Sequence, residues 1–133
     1  MPDELTIHIY PGDCDTAGHV NHAVMLTLLE RARWAALEKH MKFEDYIRRS
    51  QFAVVRHVDI SYSYPALPGD DFIVRTGLTT IGNTSFTVKQ VARNQRGDTI
   101  CEASIVYVTL GKDGKSMPVP EEWRAIFPPW VDA

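Results

Sequence analysis

Two carboxylates and two imidazoles fall within the ten residues from Asp13 to His22, in the stretch Gly12-Asp13-Cys14-Asp15-Thr16-Ala17-Gly18-His19-Val20-Asn21-His22. Asn21 is a good helix N-cap, because its side-chain oxygen can take a backbone N–H of the first turn. The apolar run Ala23-Val24-Met25-Leu26-Thr27-Leu28-Leu29 follows at once. Free N–H groups and a partial positive charge therefore face the loop. Chemistry that develops negative charge on an oxygen would be stabilised there. Asp15 is the leading candidate for that chemistry, and two readings of it stand side by side. It can satisfy N–H groups of its own loop, as such aspartates do. It can also act as a nucleophile or a general base. Asp13 reads as structural. Cys14 is not expected to be a nucleophile, because its carboxylate neighbours disfavour the thiolate. The spacing of Asp13, Asp15, His19 and His22 is not the i, i+4 pairing of a helical zinc motif, so no metal is expected.

The elements that must position this loop follow from periodicity. Residues 22–40 contain no proline and read as one helix of roughly 28 Å. Residues 23–29 are apolar nearly all round, which calls for burial on most sides. Leu5 to Tyr10 alternates and reads as a first strand, and residues 43–49 as a short second helix. Residues 52–64 read as a long strand with an apolar even face, Phe52, Val54, Val58, Ile60, Tyr62 and Tyr64. Arg56 is the one charge on that face. Strands are expected at residues 71–81, 84–93 and 99–110, with Gly82-Asn83 as a hairpin signal. These three form an antiparallel meander. Residues 120–127 read as a short helix opened by Pro120. One strand, one long helix and four more strands make an α+β domain spanning residues 1–133. A curved antiparallel sheet of about five strands wraps a central helix. One sheet cannot cover such a helix fully, so a second subunit is expected to help.

Composition narrows the classes. With 133 residues, 44% of them hydrophobic, the chain can build a real core. A formal net charge of −3 gives no bulk attraction to nucleic acid. No stretch reaches the roughly 18 apolar residues of a membrane span, and nothing near Met1-Pro2-Asp3-Glu4 reads as a signal peptide. Two cysteines, Cys14 and Cys101, make no disulfide framework, which suggests a reducing, cytoplasmic setting.

Several stretches together carry a family likeness. They are Gly12-Asp13-Cys14-Asp15-x-Ala17-Gly18-His19-Val20-Asn21-His22, Leu29-Glu30-Arg31-Ala32-Arg33, Tyr62-x-Tyr64-Pro65-Ala66-x-x-Gly69-Asp70, Thr84-Ser85-Phe86 and Val119-Pro120-Glu121-Glu122-Trp123-Arg124. In this the chain resembles the 4-hydroxybenzoyl-CoA thioesterase-like branch of the hotdog-fold thioesterases. The resemblance implies a hotdog fold, a homodimer or dimer of dimers, and hydrolysis of acyl thioesters of coenzyme A or acyl carrier protein. It implies no cofactor beyond the coenzyme A or phosphopantetheine of the substrate itself. The family's catalytic aspartate falls on Asp15. The backbone N–H of His22, or its neighbour's, falls on the thioester oxygen, and His19 is a candidate to orient water or the carboxylate. Candidates for substrate contact are Asn21, which also reads as a cap, Glu30 as an alternative base, Arg56 as a phosphate contact, and Thr84 and Ser85. Trp34, Tyr62 and Met25 are candidates to shape a pocket. Some coenzyme-A-using relatives carry basic residues where this chain has Gly82, Asn83 and Thr84. Lys89, Arg93 or Arg96 would then have to meet nucleotide phosphates, or the substrate is an acyl carrier protein. The rival readings are a non-hydrolytic acyl-thioester binding module and a hotdog dehydratase or isomerase.

Overall fold

The computed structural model describes residues 2–48 and 52–132. Strand β1 spans Asp3–His8, helix α1 His22–Glu38 and helix α2 Phe43–Arg48. Strands β2 (Phe52–Tyr62), β3 (Asp71–Ile81), β4 (Ser85–Arg93) and β5 (Thr99–Leu110) follow, then a 3₁₀ turn at Glu121–Ala125. The strands form one antiparallel sheet in the order β1-β3-β4-β5-β2. This is the expected α+β arrangement, a five-stranded sheet against one long helix, the hotdog fold. The meander of β3, β4 and β5 is as expected. The 120–127 segment is a 3₁₀ turn rather than an α-helix. The expected end of the second helix at Arg49 lies outside the described residues.

The core forms where alternation on the sheet meets a stripe on α1. Phe72 and Val74 of β3, Val88 and Ala92 of β4, and Ala103 and Ile105 of β5 are buried on one face. Against them lie Met25, Leu28, Leu29, Ala32, Ala36 and Leu37 of α1. At the centre Gln90 is fully buried with its amide in use. Its Nε2 donates to the Leu29 carbonyl at 2.9 Å and to Thr76 Oγ1 at 3.1 Å. Its Oε1 accepts from an Arg33 guanidinium N–H at 2.9 Å, and Arg33 Nε donates to the Tyr107 hydroxyl. Gln90 thus pins the middle of α1 to β3 and β4 and satisfies a buried cation.

One expectation about faces is corrected. A β-bulge between Val55 and His57 leaves Arg56 unpaired. Paired residues point to the same side of a sheet, so register assigns the faces. Before the bulge Ala53 and Val55 share the helix side with Thr109 and Tyr107; after it Val58, Ile60 and Tyr62 share it with Ile105, Ala103 and Cys101. The extra residue reverses the alternation, so the even-numbered apolar face does not run the length of β2. As expected of a single sheet, the helix is covered on one side only within the chain. Ala23 and Leu26 are exposed, because a single sheet supplies a single wall.

Candidate active site

The Asp15 loop is shaped by its own main chain. Cys14 and Val20 form an isolated antiparallel bridge, and the Asp15 N–H donates to the His19 carbonyl at 3.0 Å. The Gly18 N–H returns to the Asp15 carbonyl at 3.0 Å. Gly18 adopts φ +82°, a conformation that glycine reaches without strain, and this closes the turn. Asp13 is structural as expected, its carboxylate accepting from the Tyr10 N–H at 3.1 Å. The Asn21 side chain accepts from the Ala23 N–H at 2.8 Å, which makes it the N-cap of α1.

Asp15 meets the loop reading with one oxygen only. One carboxylate oxygen accepts from the Ala17 N–H at 2.9 Å. The other has no partner among the described residues, and the side chain is exposed. A few residues on, the first turn of α1 points its N–H groups outward. Asn21 occupies that of Ala23, while the His22 N–H has no acceptor among the described residues. Tyr62 holds this end from the side, its hydroxyl donating to the His22 carbonyl at 2.9 Å, with the two rings edge to face at 6.4 Å. Asp15, His19, Asn21, His22 and Tyr62 thus lie at one end of the molecule.

A second layer, passed over in the sequence as a site feature, braces the loop. Asp70 is buried and accepts from Gln95 at 2.8 Å, from both terminal nitrogens of Arg96 at 3.2 Å, and from the Leu67 N–H at 3.2 Å. The hydrogen bond from Arg96 leads the causes that hold its carboxyl below the usual range, with Gln95 next. This clamp fixes the turn of residues 65–70, whose Ala66 carbonyl takes the Val20 N–H at 2.8 Å. Residues 64–70 were legible as a family motif, but nothing local said that the aspartate props another loop.

The other candidates are dispersed. Arg56 sits exposed on the bulge of the edge strand β2. The β3–β4 hairpin closes by Gly82 N–H to Ser85 carbonyl at 2.8 Å, so its centre is Asn83-Thr84, one residue later than expected. Thr84 and Ser85 are at the far end of the strands from Tyr62. Ser85 pairs with Val108, which pairs with Val54, eight residues or about 26 Å of strand from Tyr62. Within one chain they do not meet Asp15. Lys89 is engaged on the Trp130 ring and with Glu102 at 3.4 Å, and Arg96 with Asp70, so neither is a free phosphate ligand. Met25 is plain core. Burial, then Asp13 and Asp15, push the Cys14 thiol up; burial pushes that of Cys101 up to about 12. Neither is a ready thiolate. Among the described residues no group of three or more His, Cys, Asp or Glu side chains could hold a metal ion.

A mainly apolar cavity lies elsewhere on α1. A cavity of about 260 Å³ is bounded by Glu30, Arg33, Trp34 and Leu37 of the helix, and by residues 53–55 of β2. Phe86, Tyr107 and the C-terminal Trp123, Ile126 and Phe127 close it. Of the sequence candidates only Glu30, at the exposed rim, and Trp34 reach it.

The sequence profile of the Thioesterase superfamily matches residues 17–101. The chain belongs to this family. It is 30% identical over 112 residues to the long-chain acyl-CoA thioesterase FadM of Escherichia coli, covering 83% of this chain and 85% of that protein. It is 29% identical over 105 residues to the acyl-CoA thioester hydrolase YbgC of another Escherichia coli strain, covering 78% of each. The crystal structure of YbaW, a probable thioesterase from Escherichia coli, superposes with a TM-score of 0.82 at 27% identity, over 92% of this chain and 94% of that one. The family resemblance, the fold and the thioester-hydrolase class read from the sequence therefore stand. The family match begins two residues after Asp15.

Proposed function

We propose that this thioesterase hydrolyses acyl-CoA thioesters to the free acid and coenzyme A, with Asp15 as the reacting carboxylate. The observation that carries the reading is the unpartnered Asp15 oxygen in the loop that leads into the open His22 N–H at the tip of α1. As a nucleophile, Asp15 attacks the thioester carbonyl, the C–S bond breaks, and water then hydrolyses the mixed anhydride. As a base, it takes a proton from the attacking water, which is returned to the departing thiolate. In both routes the carbonyl oxygen gains charge in front of the helix tip, where such donors act. A thiol leaves readily at its pKa of about 8.5, so no strong general acid is needed. His19 is assigned to orienting water.

A second copy of the chain completes this reading. Strand β2 is an eleven-residue edge with Val54, Val55 and Val58 exposed. Such an edge invites pairing. Antiparallel pairing of β2 with a second β2 would bring the far hairpin of one copy toward the helix tip of the other, reuniting Thr84 and Ser85 with the loop. The two unpaired cysteines fit a reducing, cytoplasmic setting. Among the described residues no helix is long and apolar enough to cross a membrane. The hairpin without basic residues favours testing acyl carrier protein thioesters beside those of coenzyme A.

Purified protein should release thiol from an acyl-CoA panel, and Asp15→Asn should lower the rate by about a hundred- to ten-thousand-fold. Full rate in that variant would overturn the assignment. Tight binding of acyl-CoA without thiol release would favour a binding module, and hydration of an enoyl-CoA a dehydratase.

A further inference from the structure

We infer that Tyr62 is a positioning residue for the hydrolysis: its hydroxyl holds the peptide that follows His22 and so aims the His22 N–H at the thioester oxygen. The inference rests on the proposed thioester site at the tip of α1.

Two peptide units flank the His22 Cα and carry four polar groups between them, of which three are held. The Asn21 carbonyl accepts from the Met25 N–H at 3.0 Å. The Ala23 N–H donates to the Asn21 side chain at 2.8 Å. The His22 carbonyl accepts from the Tyr62 hydroxyl at 2.9 Å. The fourth group, the His22 N–H, has no acceptor among the described residues. A peptide unit is planar, so a bond on one side of it sets the direction of the group on the other. Fixing both units around His22 therefore fixes where its N–H points. A donor held in advance needs no reorganisation as charge develops on the substrate.

The Tyr62 bond is not needed to satisfy its acceptor. His22 is the first residue of α1, so its carbonyl also takes the N–H one turn on, that of Leu26. A carbonyl oxygen has a second lone pair, and Tyr62 fills it. The bond lies on the surface, where a neutral hydrogen bond adds little to stability. Its consequence is geometric. Ala23 and Leu26 are exposed, so the sheet leaves this side of the helix tip bare. Among the described residues the Tyr62 bond is the only hydrogen bond that joins β2 to α1. Tyr62 itself ends β2 and pairs with the buried Cys101, so its main chain is anchored in the sheet. Its ring meets the His22 imidazole edge to face at 6.4 Å, which sets the angle of the phenol. Burial, then Cys101, raise the pKa of that phenol, so the hydroxyl keeps the proton it donates.

The test is Tyr62→Phe, which keeps the ring and removes the hydroxyl. It should lower kcat for acyl-CoA hydrolysis by about tenfold, through misplacement rather than loss of the donor, while KM and the urea midpoint stay close to those of the parent. The decisive comparison is a double-mutant cycle. In His22→Pro no N–H is left to aim, so adding Tyr62→Phe should cost less than about twofold more. An equal loss in both backgrounds, or no loss in the parent, overturns the inference and leaves the hydrolase reading intact. Hydrogen exchange keeps the test open if His22→Pro fails to fold. In Tyr62→Phe the Ala23 and Met25 amides should exchange at least roughly fivefold faster, with the Leu29 amide unchanged. Unmoved Ala23 and Met25 amides overturn the inference. Absence of hydrolysis by the parent overturns the hydrolase reading, and the part of Tyr62 in it.

Discussion

At its N-terminal end α1 meets a loop held mostly by hydrogen bonds among residues 13–23, with one main-chain bond reaching out from Val20 to Ala66. Along its second half the same helix is walled by side chains from α2, β2, β4, β5 and the C-terminal segment, as far as 97 residues away (Glu30 to Phe127). The first end is polar and open, the second apolar and enclosed. The contrast separates two tasks that a thioester hydrolase has to perform. Carbonyl chemistry needs backbone N–H groups and a carboxylate, which a short segment can supply. Accommodating an acyl group needs volume, which only distant segments can enclose.

The contrast is broken most sharply at His22. Asn21 already has ψ 141°, the extended conformation that a following proline demands, and position 22 is the first of the helix. His22→Pro should therefore keep the fold while deleting one N–H, and lower kcat by about 10²–10³-fold, whereas His22→Ala should stay within a few-fold of the parent. Circular dichroism and steady-state rates check both. Equal losses would show that the imidazole, not the backbone, is what matters.

Between the two ends sits Gln90, and its loss should strike both. Gln90→Leu removes one of the two acceptors of the buried Arg33 guanidinium, leaving Tyr107, and should cost about 3 kcal/mol in urea denaturation. A smaller effect tests the brace beneath the Asp15 loop. Asp70→Asn removes the charged partner of Arg96 and should cost about 1–2 kcal/mol, with kcat falling as the Ala66–Val20 bond loosens. Because the folded pKa of Asp70 lies below its unfolded value of about 3.9, its contribution is complete above that pH and fades as pH falls through the folded value. The stability gap between parent and Asp70→Asn should thus be constant near neutrality and close in acid. Smallest of all is the thiol prediction. With its pKa at about 12 and no exposed surface, Cys101 should resist iodoacetamide at pH 8 until the protein unfolds, as mass spectrometry of the labelled peptides would reveal.

Local chemistry was legible from one dimension. The Asn21 cap, the start of α1 at His22, the meander of β3 to β5 and the structural part of Asp13 all depend on neighbours a few residues apart, and they agree with the sequence. Alternation along β2 was not legible, because one unpaired residue at Arg56 reverses it, and bulges carry no fixed residue signature. Thr84 and Ser85 were grouped with Asp15 through likeness alone; strand length sets them at the opposite end of the sheet within one chain.

The order of residues by itself determined the fold class, the capped helix and the acid in front of it, since hydrogen bonds over short separations and hydrophobic periodicity fix these. Tertiary structure alone decided that Asp70 and Arg96 brace the loop, that Arg33 is held by Gln90 and Tyr107, and that Trp123 and Phe127 close a cavity on α1. These depend on which distant side chains come to share a space once the sheet closes over the helix, and packing of that kind leaves no periodic trace in a sequence.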